Sequence, residues 1–251
     1  GFQDNGSYAT NSAVLASPWQ TINSGDGGYC SIAPLADNRV YSTSQNGDID
    51  RIQRDGDGNI TMKPTGLGHP AFINPHVLDL NNSSFLYFGG GTSETTTGIW
   101  RNSDIINGDT IHGWSYLAGT DFGSTSAQVS AVSVSKTNSA NVVYFGTDEG
   151  HIRRIDNANT TATVSANLNS GGMPAGFVSC LAIDPNNSSN VIAVFSNYNV
   201  QRLWYSTDAG ATWTNIDGNL AGANGPSVRW ATVLYKTGVL HVFLATSVGV
   251  Y

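Results

Sequence analysis

Three aspartates lie in polar, glycine-rich segments where carboxylates could act on a bound substrate: Asp4, Asp26 and Asp148. Glycoside hydrolysis needs an acid with a raised pKa and a partner carboxylate. The two groups lie roughly 5–5.5 Å apart for retention of configuration and roughly 6.5–9.5 Å apart for inversion. Asp4 or Asp148 could be the general acid, with Asp26 as partner. Asp4 and Asp26 are the easier pair to bring together, because the repeat described below places them in adjacent units.

The same segments could instead bind a sugar without turnover. Amides and carboxylates hydrogen-bond sugar hydroxyls, and aromatic rings stack on the C–H face of the sugar ring. Trp230 would be the stacking platform. The candidate ligand-binding residues are Gln3, Asp4, Asn5, Asp26, Asp148, Glu149, Arg229 and Trp230. A third reading is a structural scaffold with no ligand site.

The elements that would position these residues form an internal repeat. An apolar strand, a polar turn and a second apolar strand ending in small residues are followed by a more polar pair of strands. If Tyr41, Tyr87, Tyr144, Ala193 and Val242 are equivalent, the spacings are 46, 57, 49 and 49 residues. Units of roughly 40–50 residues with four short strands are typical of propeller blades. The sequence therefore predicts an all-β protein, a β-propeller built from four-stranded antiparallel blades.

The phase of the repeat predicts where each blade begins and ends. Both termini fall at the same phase, so we expect an incomplete segment of about five blades from a larger propeller. The predicted limits are a partial blade at 1–24, blades at about 25–68, 69–125, 126–175 and 176–225, and a partial blade at 226–251.

Residues 206–213 form the most specific motif, S-x-D-x-G-x-T-W. Asp208 can accept hydrogen bonds from backbone N–H groups downstream, and Gly210 can adopt a positive φ. Ser206 and Thr212 can add hydroxyl hydrogen bonds, and Trp213 can fill the space beneath the turn. The motif resembles the Asp-box of sialidase-like BNR repeats. That resemblance implies a propeller in which these five residues are structural.

A second motif reads Gly-Phe-Gln-Asp-Asn-Gly-Ser, followed by Trp19 and the Gly-Asp-Gly-Gly segment 25–28. It resembles a signature of sortilin-like and BNR-repeat secreted propellers, many of them on bacterial surfaces. The resemblance implies a secreted or cell-surface protein, often one domain of a longer multidomain chain, whose partner is a glycan or an extracellular protein.

A more distant similarity is to xyloglucanase-type glycosidases, which use two propellers and a pair of aspartates. Residues 147–150 resemble their T-D-x-G-G motif, and residues 3–6 loosely resemble the second one. His151 replaces the final glycine of the first motif. The resemblance implies a glycoside hydrolase acting on a neutral polysaccharide, as an alternative to a binding module.

Strand order separates the loops into two faces. Loops between second and third strands share a face with the segments that connect blades, and all eight candidate residues fall there. The Asp-box motif lies in a turn between third and fourth strands, so we expect it on the opposite face.

Composition narrows the setting. The net charge is −7, and only 11 residues are Lys or Arg, which argues against nucleic-acid binding. No apolar stretch approaches the roughly 18 residues of a membrane span, so no membrane insertion is expected. Cys30 and Cys180 are predicted to be two buried free thiols, because corresponding strands three blades apart are too distant for a disulfide.

No cofactor or metal is expected from the sequence. The five histidines lack the paired spacing of a zinc site. Residues 55–59 begin like a calcium loop, but Ile60 stands where the turn glycine belongs and Gly66 where the bidentate glutamate belongs.

Overall fold

The computed structural model describes residues 1–10, 18–34, 37–53, 58–68, 70–123, 126–137, 141–222 and 224–251. The chain divides into two compact units, Gly1–Ser126 and Ala127–Tyr251. Almost all regular structure in the described ranges is antiparallel β-strand, which confirms the predicted all-β class.

In its described residues, the first unit contains three sheets. One pairs β1 (Ser7–Ala9) with β2 (Gln20–Asn23). The second consists of β3 (Cys30–Ile32), β4 (Arg39–Thr43), β5 (Ile49–Gln53) and β6 (Ile60–Thr61). The third consists of β7 (His76–Leu78), β8 (Leu86–Gly89), β9 (Ile99–Asn102) and β10 (Trp114–Tyr116).

The second unit also contains three sheets. One consists of β11 (Val129–Val134), β12 (Val143–Thr147), β13 (Ile152–Asp156) and β14 (Thr163–Val164). The next consists of β15 (Val178–Asp184), β16 (Asn187–Phe195), β17 (Leu203–Ser206) and β18 (Thr214–Asn215), followed by a 3-10 helix at Gly218–Leu220. The last consists of β19 (Val228–Lys236), β20 (Val239–Thr246) and β21 (Gly249–Val250).

Consecutive strands pair within every sheet, so each sheet is an antiparallel meander, the arrangement of a propeller blade. The apolar segments that the sequence predicts as second strands are strands in the structure. They correspond to β4, β8, β12, β16 and β20. The exact residues at which one blade ends and the next begins stay a prediction, because they fall in the segments that connect the sheets.

Strand β16 shows why the second strands read as continuous apolar runs. Its alternate side chains point to opposite faces, and both faces are covered. Ala193 and Phe195 join a cluster with Tyr144 of the preceding sheet. Ile192 and Val194 join a cluster with Val228 and other residues of the β19–β21 sheet. A strand packed on both faces needs apolar residues at every position, without polar alternation.

The cysteines are only partly as predicted. Both are free thiols, but only Cys180 is buried, and burial raises the pKa of its thiol to about 12. Cys30 is exposed, because it begins the short strand β3, where Ile32 is also exposed. The prediction that Cys30 is buried was wrong. None of the helices in the described ranges has the length and apolar character needed to span a bilayer.

Candidate functional site

Each four-stranded sheet has a loop end and a turn end. The loop end carries the loop between second and third strands and the segment that leads into the first strand. The turn end carries the turns that join the first strand to the second and the third to the fourth. In the β15–β18 sheet, the loop end includes residues 196–202 and Phe177, and the turn end includes residues 207–213.

A recurring hydrogen bond closes the loop end. A side-chain oxygen just after the second strand accepts a hydrogen bond. The donor is a backbone N–H in the segment that leads into the first strand of the same sheet. Asp148 Oδ1 accepts a hydrogen bond from the Gln128 N–H at 2.8 Å. In the same way, Asn197 Oδ1 accepts from the Phe177 N–H at 2.6 Å. Gln45 Oε1 accepts from the Asp26 N–H at 2.9 Å. The polar residue after each of these strands therefore fixes the loop.

Two of the three candidate catalytic carboxylates take part in such backbone contacts. Asp148 Oδ1 binds the Gln128 N–H, and the Asp148 N–H donates back to the Gln128 carbonyl at 3.1 Å. Asp26 Oδ1 accepts the backbone N–H of Asp4 at 2.6 Å. The structure thus connects the Asp4 backbone to the Asp26 carboxylate. Asp148 lies in the other unit.

The segment around Asp4 is exposed. Asp4 has a positive φ of 59°, and Gln3 and Asn5 lie beside it at the surface. The Asn5 side-chain amide donates to the Gln3 carbonyl at 3.1 Å. Backbone hydrogen bonds from Gly6 to Gly25 and from Gly27 to Phe2 tie the segment to the one that leads into β3.

Glu149 lies beside His151 in the loop between β12 and β13. Asn167 Oδ1 accepts two backbone N–H groups, from Ile152 and Asn169. Its NH2 group therefore faces His151 Nδ1, at 3.0 Å, and that nitrogen must be an acceptor. The ring proton then resides on Nε2, which faces the Glu149 carboxylate at 3.8 Å.

Arg229 occupies a position that recurs in all three sheets of the second unit. The first strand of each sheet has a bulge, and the extra residue is Ser130, Ser179 or Arg229. Both serines are buried and donate to backbone carbonyls, Ser130 to Val178 at 2.7 Å and Ser179 to Val194 at 3.4 Å. Arg229 is exposed and makes no hydrogen bond or ion pair within the described residues. Bulges often re-aim a side chain beside a functional site.

Trp230 follows Arg229 in β19 and is 45% exposed, whereas the residues at the equivalent register position of the two preceding sheets, Ala131 and Cys180, are buried against the sheet that follows. The surrounding backbone is fixed: the Ser247 N–H donates to the Ser227 carbonyl, and the Ser227 hydroxyl donates to the Ser196 carbonyl. Phe177 and Tyr198 at the neighbouring loop end are also exposed. This unit therefore presents Phe177 and Tyr198 on loops and the Arg229–Trp230 pair at the start of β19.

A cavity of about 370 Å³ opens at the loop end of the β15–β18 sheet. The sequence analysis did not identify this cavity, because its lining comes from segments that are not adjacent in the repeat. Its lining residues are Asn199, Val200, Gln201, Asn215, Asp217, Ala221 and Gly222.

The motif at 206–213 lies at the turn end of the same sheet. The Thr212 N–H and the Ser206 hydroxyl donate to Asp208 Oδ1, each at 2.8 Å, and the Thr212 hydroxyl donates to Oδ2 at 2.6 Å. Gly210 has a φ of +88°, and Trp213 donates its ring N–H to the Leu168 carbonyl at 2.9 Å. Hydrogen bonds from the Thr212 side chain and backbone and from Ser206 hold the pKa of Asp208 below its ordinary value.

No metal site is evident in the described ranges, where no three His, Cys, Asp or Glu side chains are grouped to hold an ion. Residues 55–57 of the calcium-like segment lie outside those ranges.

Comparisons with known proteins show the fold. No protein-family model matches the chain. No curated protein matches it either. Among solved structures, it is similar to the GH74 enzyme of Niastella koreensis, with a TM-score of 0.60 and 16% sequence identity. The match covers 89% of this chain and 34% of that one, so the chain spans about a third of the enzyme's length. Together with the sheet topology, this similarity shows that the fold is a β-propeller.

Proposed function

We propose that this chain is a glycan-binding β-propeller of the BNR/Asp-box type, exported by a bacterium as part of a longer extracellular protein. The observation that carries the proposal is the exposed pair Arg229–Trp230. Arg229 replaces the buried serine found at the two equivalent bulges, and it has no partner within the described residues.

The chemistry of the pair suits a sugar. An indole ring offers a flat apolar face to the C–H groups of a pyranose, and a guanidinium presents several N–H donors to neighbouring hydroxyls. Because hydrogen bonds fix the backbone at Ser227 and Ser247, little backbone conformational entropy would be lost on binding. Glu149 in the same unit would supply a further polar contact, and Gln3, Asp4 and Asn5 form a separate candidate patch in the first unit.

The roles of Asp26 and Asp148 support binding over turnover. Each accepts a backbone N–H and so holds a loop in place. A carboxylate that already serves as a backbone acceptor is a poor choice for a group that must carry the reaction's proton.

The test is affinity electrophoresis through gels that contain xyloglucan, hydroxyethylcellulose, galactomannan or arabinoxylan. We expect at least one polysaccharide to retard the protein, and Trp230→Ala to weaken the retardation about tenfold or more. Trp19→Ala is the matched control, because Trp19 is also exposed but precedes β2, at the turn end of its sheet. Unretarded migration in every gel would contradict the proposal, as would equal effects of the two tryptophan variants.

A glycoside hydrolase is the second candidate, favoured by the similarity to the GH74 enzyme. The retarding polysaccharide is incubated with the protein, and released reducing ends are measured. A hydrolase would release them and lose nearly all turnover in Asp4→Asn or Asp148→Asn, whereas a binding module would lose only modest affinity. Asparagine keeps the acceptor oxygen that Asp148 offers to Gln128, so the loop is preserved.

A further inference from the structure

We infer that the cavity at the loop end of the β15–β18 sheet is a separate subsite for one unit of a neutral, hydroxyl-rich saccharide. This inference rests on the proposed glycan-binding function and adds a location and a ligand class to it. At about 370 Å³, the cavity lies within the roughly 300–1,000 Å³ range of small-molecule sites.

Two side chains in the wall are free to bind a ligand. The side-chain amides of Asn199 and Gln201 make no hydrogen bond within the described residues, although both line the cavity. A carboxamide offers two N–H donors and one carbonyl acceptor. A sugar hydroxyl also donates and accepts, so each of the two amides can bind a hydroxyl group.

The opposite wall is rigid. Asp217 is 4% exposed, and its carboxylate accepts the backbone N–H groups of Arg202 and Leu203 at 2.6–3.1 Å. The buried Arg202 guanidinium donates to the carbonyls of Leu220, Gly222 and Gly225 at 2.9–3.1 Å. These contacts hold residues 217–222 and Gly225 in place, so this part of the lining is formed before a ligand arrives.

The electrostatics select a neutral ligand. Among the described residues that line the cavity, Asp217 is the one carboxylate and none is cationic. A carboxylated or sulfated sugar would find no cation to bind directly, because the nearby Arg202 guanidinium is buried and already donates to three carbonyls. The apolar part of the lining, Val200 and Ala221, would contact the C–H groups of the sugar.

The test is isothermal titration of the full chain with cellotetraose, xylotetraose and mannotetraose, and with tetragalacturonate as the anionic comparator. Gln201→Ala removes one free amide from the surface. Asn199→Gly removes the other and suits the positive φ of 61° at that position. Gln20→Ala is the matched control, an exposed glutamine in β2 of the other unit.

We expect one of the neutral tetrasaccharides to bind, each amide variant to weaken it about threefold to tenfold, and Gln20→Ala to leave it unchanged. Wild-type affinity in both amide variants, with Trp230→Ala still impaired, would overturn the subsite and leave the proposed function standing. Tighter binding of tetragalacturonate would overturn the neutral ligand class. Failure of every saccharide, in these titrations and in the gels, would overturn both proposals.

Discussion

The two ends of the β15–β18 sheet use similar polar residues in opposite ways. At the turn end, both carboxylate oxygens of Asp208 are bound by Ser206 and Thr212. At the loop end, Asn199 and Gln201 keep free amides beside a cavity whose other wall is held by Arg202. The polar groups of the more conspicuous motif therefore bind one another. The loop end, where two side-chain amides have no partner in the described residues, is the end suited to a ligand.

The largest expected effect is at the turn end, in Trp213→Ala. Trp213 is buried in a cluster with Trp204 and Phe195, so truncation leaves a cavity. We expect the free energy of unfolding to fall by about 3–5 kcal/mol, measured by urea denaturation. Trp213→Phe keeps most of the ring and loses the hydrogen bond to Leu168, so its loss should be smaller. A loss below about 1 kcal/mol in Trp213→Ala would show that the turn end does not depend on this residue.

A smaller loss is expected in Gly210→Ala. The residue has a φ of +88°, and an added Cβ would lie 2.8 Å from the Leu168 side chain. We expect a cost of about 1–2 kcal/mol from the left-handed conformation alone. Ala209→Gly is the control in the opposite direction, because Ala209 already has a φ of 64° and should gain from the change. Equal effects of the two variants would contradict this account of the turn.

The Asp208 carboxylate should make the turn end sensitive to acid. Because its folded pKa is below the unfolded value of about 3.9, its contribution is complete above that value and is lost as the pH falls through the folded pKa. Urea denaturation of the wild type and Asp208→Asn should therefore differ most above about pH 5. The difference should shrink toward about pH 2. A difference that stayed constant over this range would contradict the role of the ionised carboxylate.

The smallest effect on stability is expected at the loop end, in Gln201→Ala. The side chain is exposed and has no hydrogen-bond partner in the described residues, so the free energy of unfolding should change by no more than about 0.5 kcal/mol. A larger loss, again by urea denaturation, would mean that Gln201 is structural and would remove the contrast between the two ends.

The sequence predicted the strands well because their cause is local. Residues 143–145 of β12 and 191–195 of β16 are packed on both faces and so appear as uninterrupted apolar runs. The hydrogen bonds of the turn at 206–213 also follow from local spacing, since Ser206, Asp208 and Thr212 lie within seven residues of one another.

The site was harder to predict because its contacts are distant and often involve the backbone. The partner of Asp148 is the N–H of Gln128, which no side-chain pattern reveals. The cavity forms because Arg202 binds carbonyls about 20 residues further along the chain. Arg229 stood out in the sequence by type, but its replacement of a buried bulge serine became visible only in the strand register.

The most direct test of the account is a nuclear magnetic resonance titration of backbone amides in the isotope-labelled chain with the neutral tetrasaccharide that binds most tightly. The account predicts saturable shifts at residues 198–201, 215–222 and 229–230, and unchanged resonances at 206–213. Shifts centred on the turn at 206–213, or none at the loop end, would contradict the claim that this propeller binds glycans through its loops.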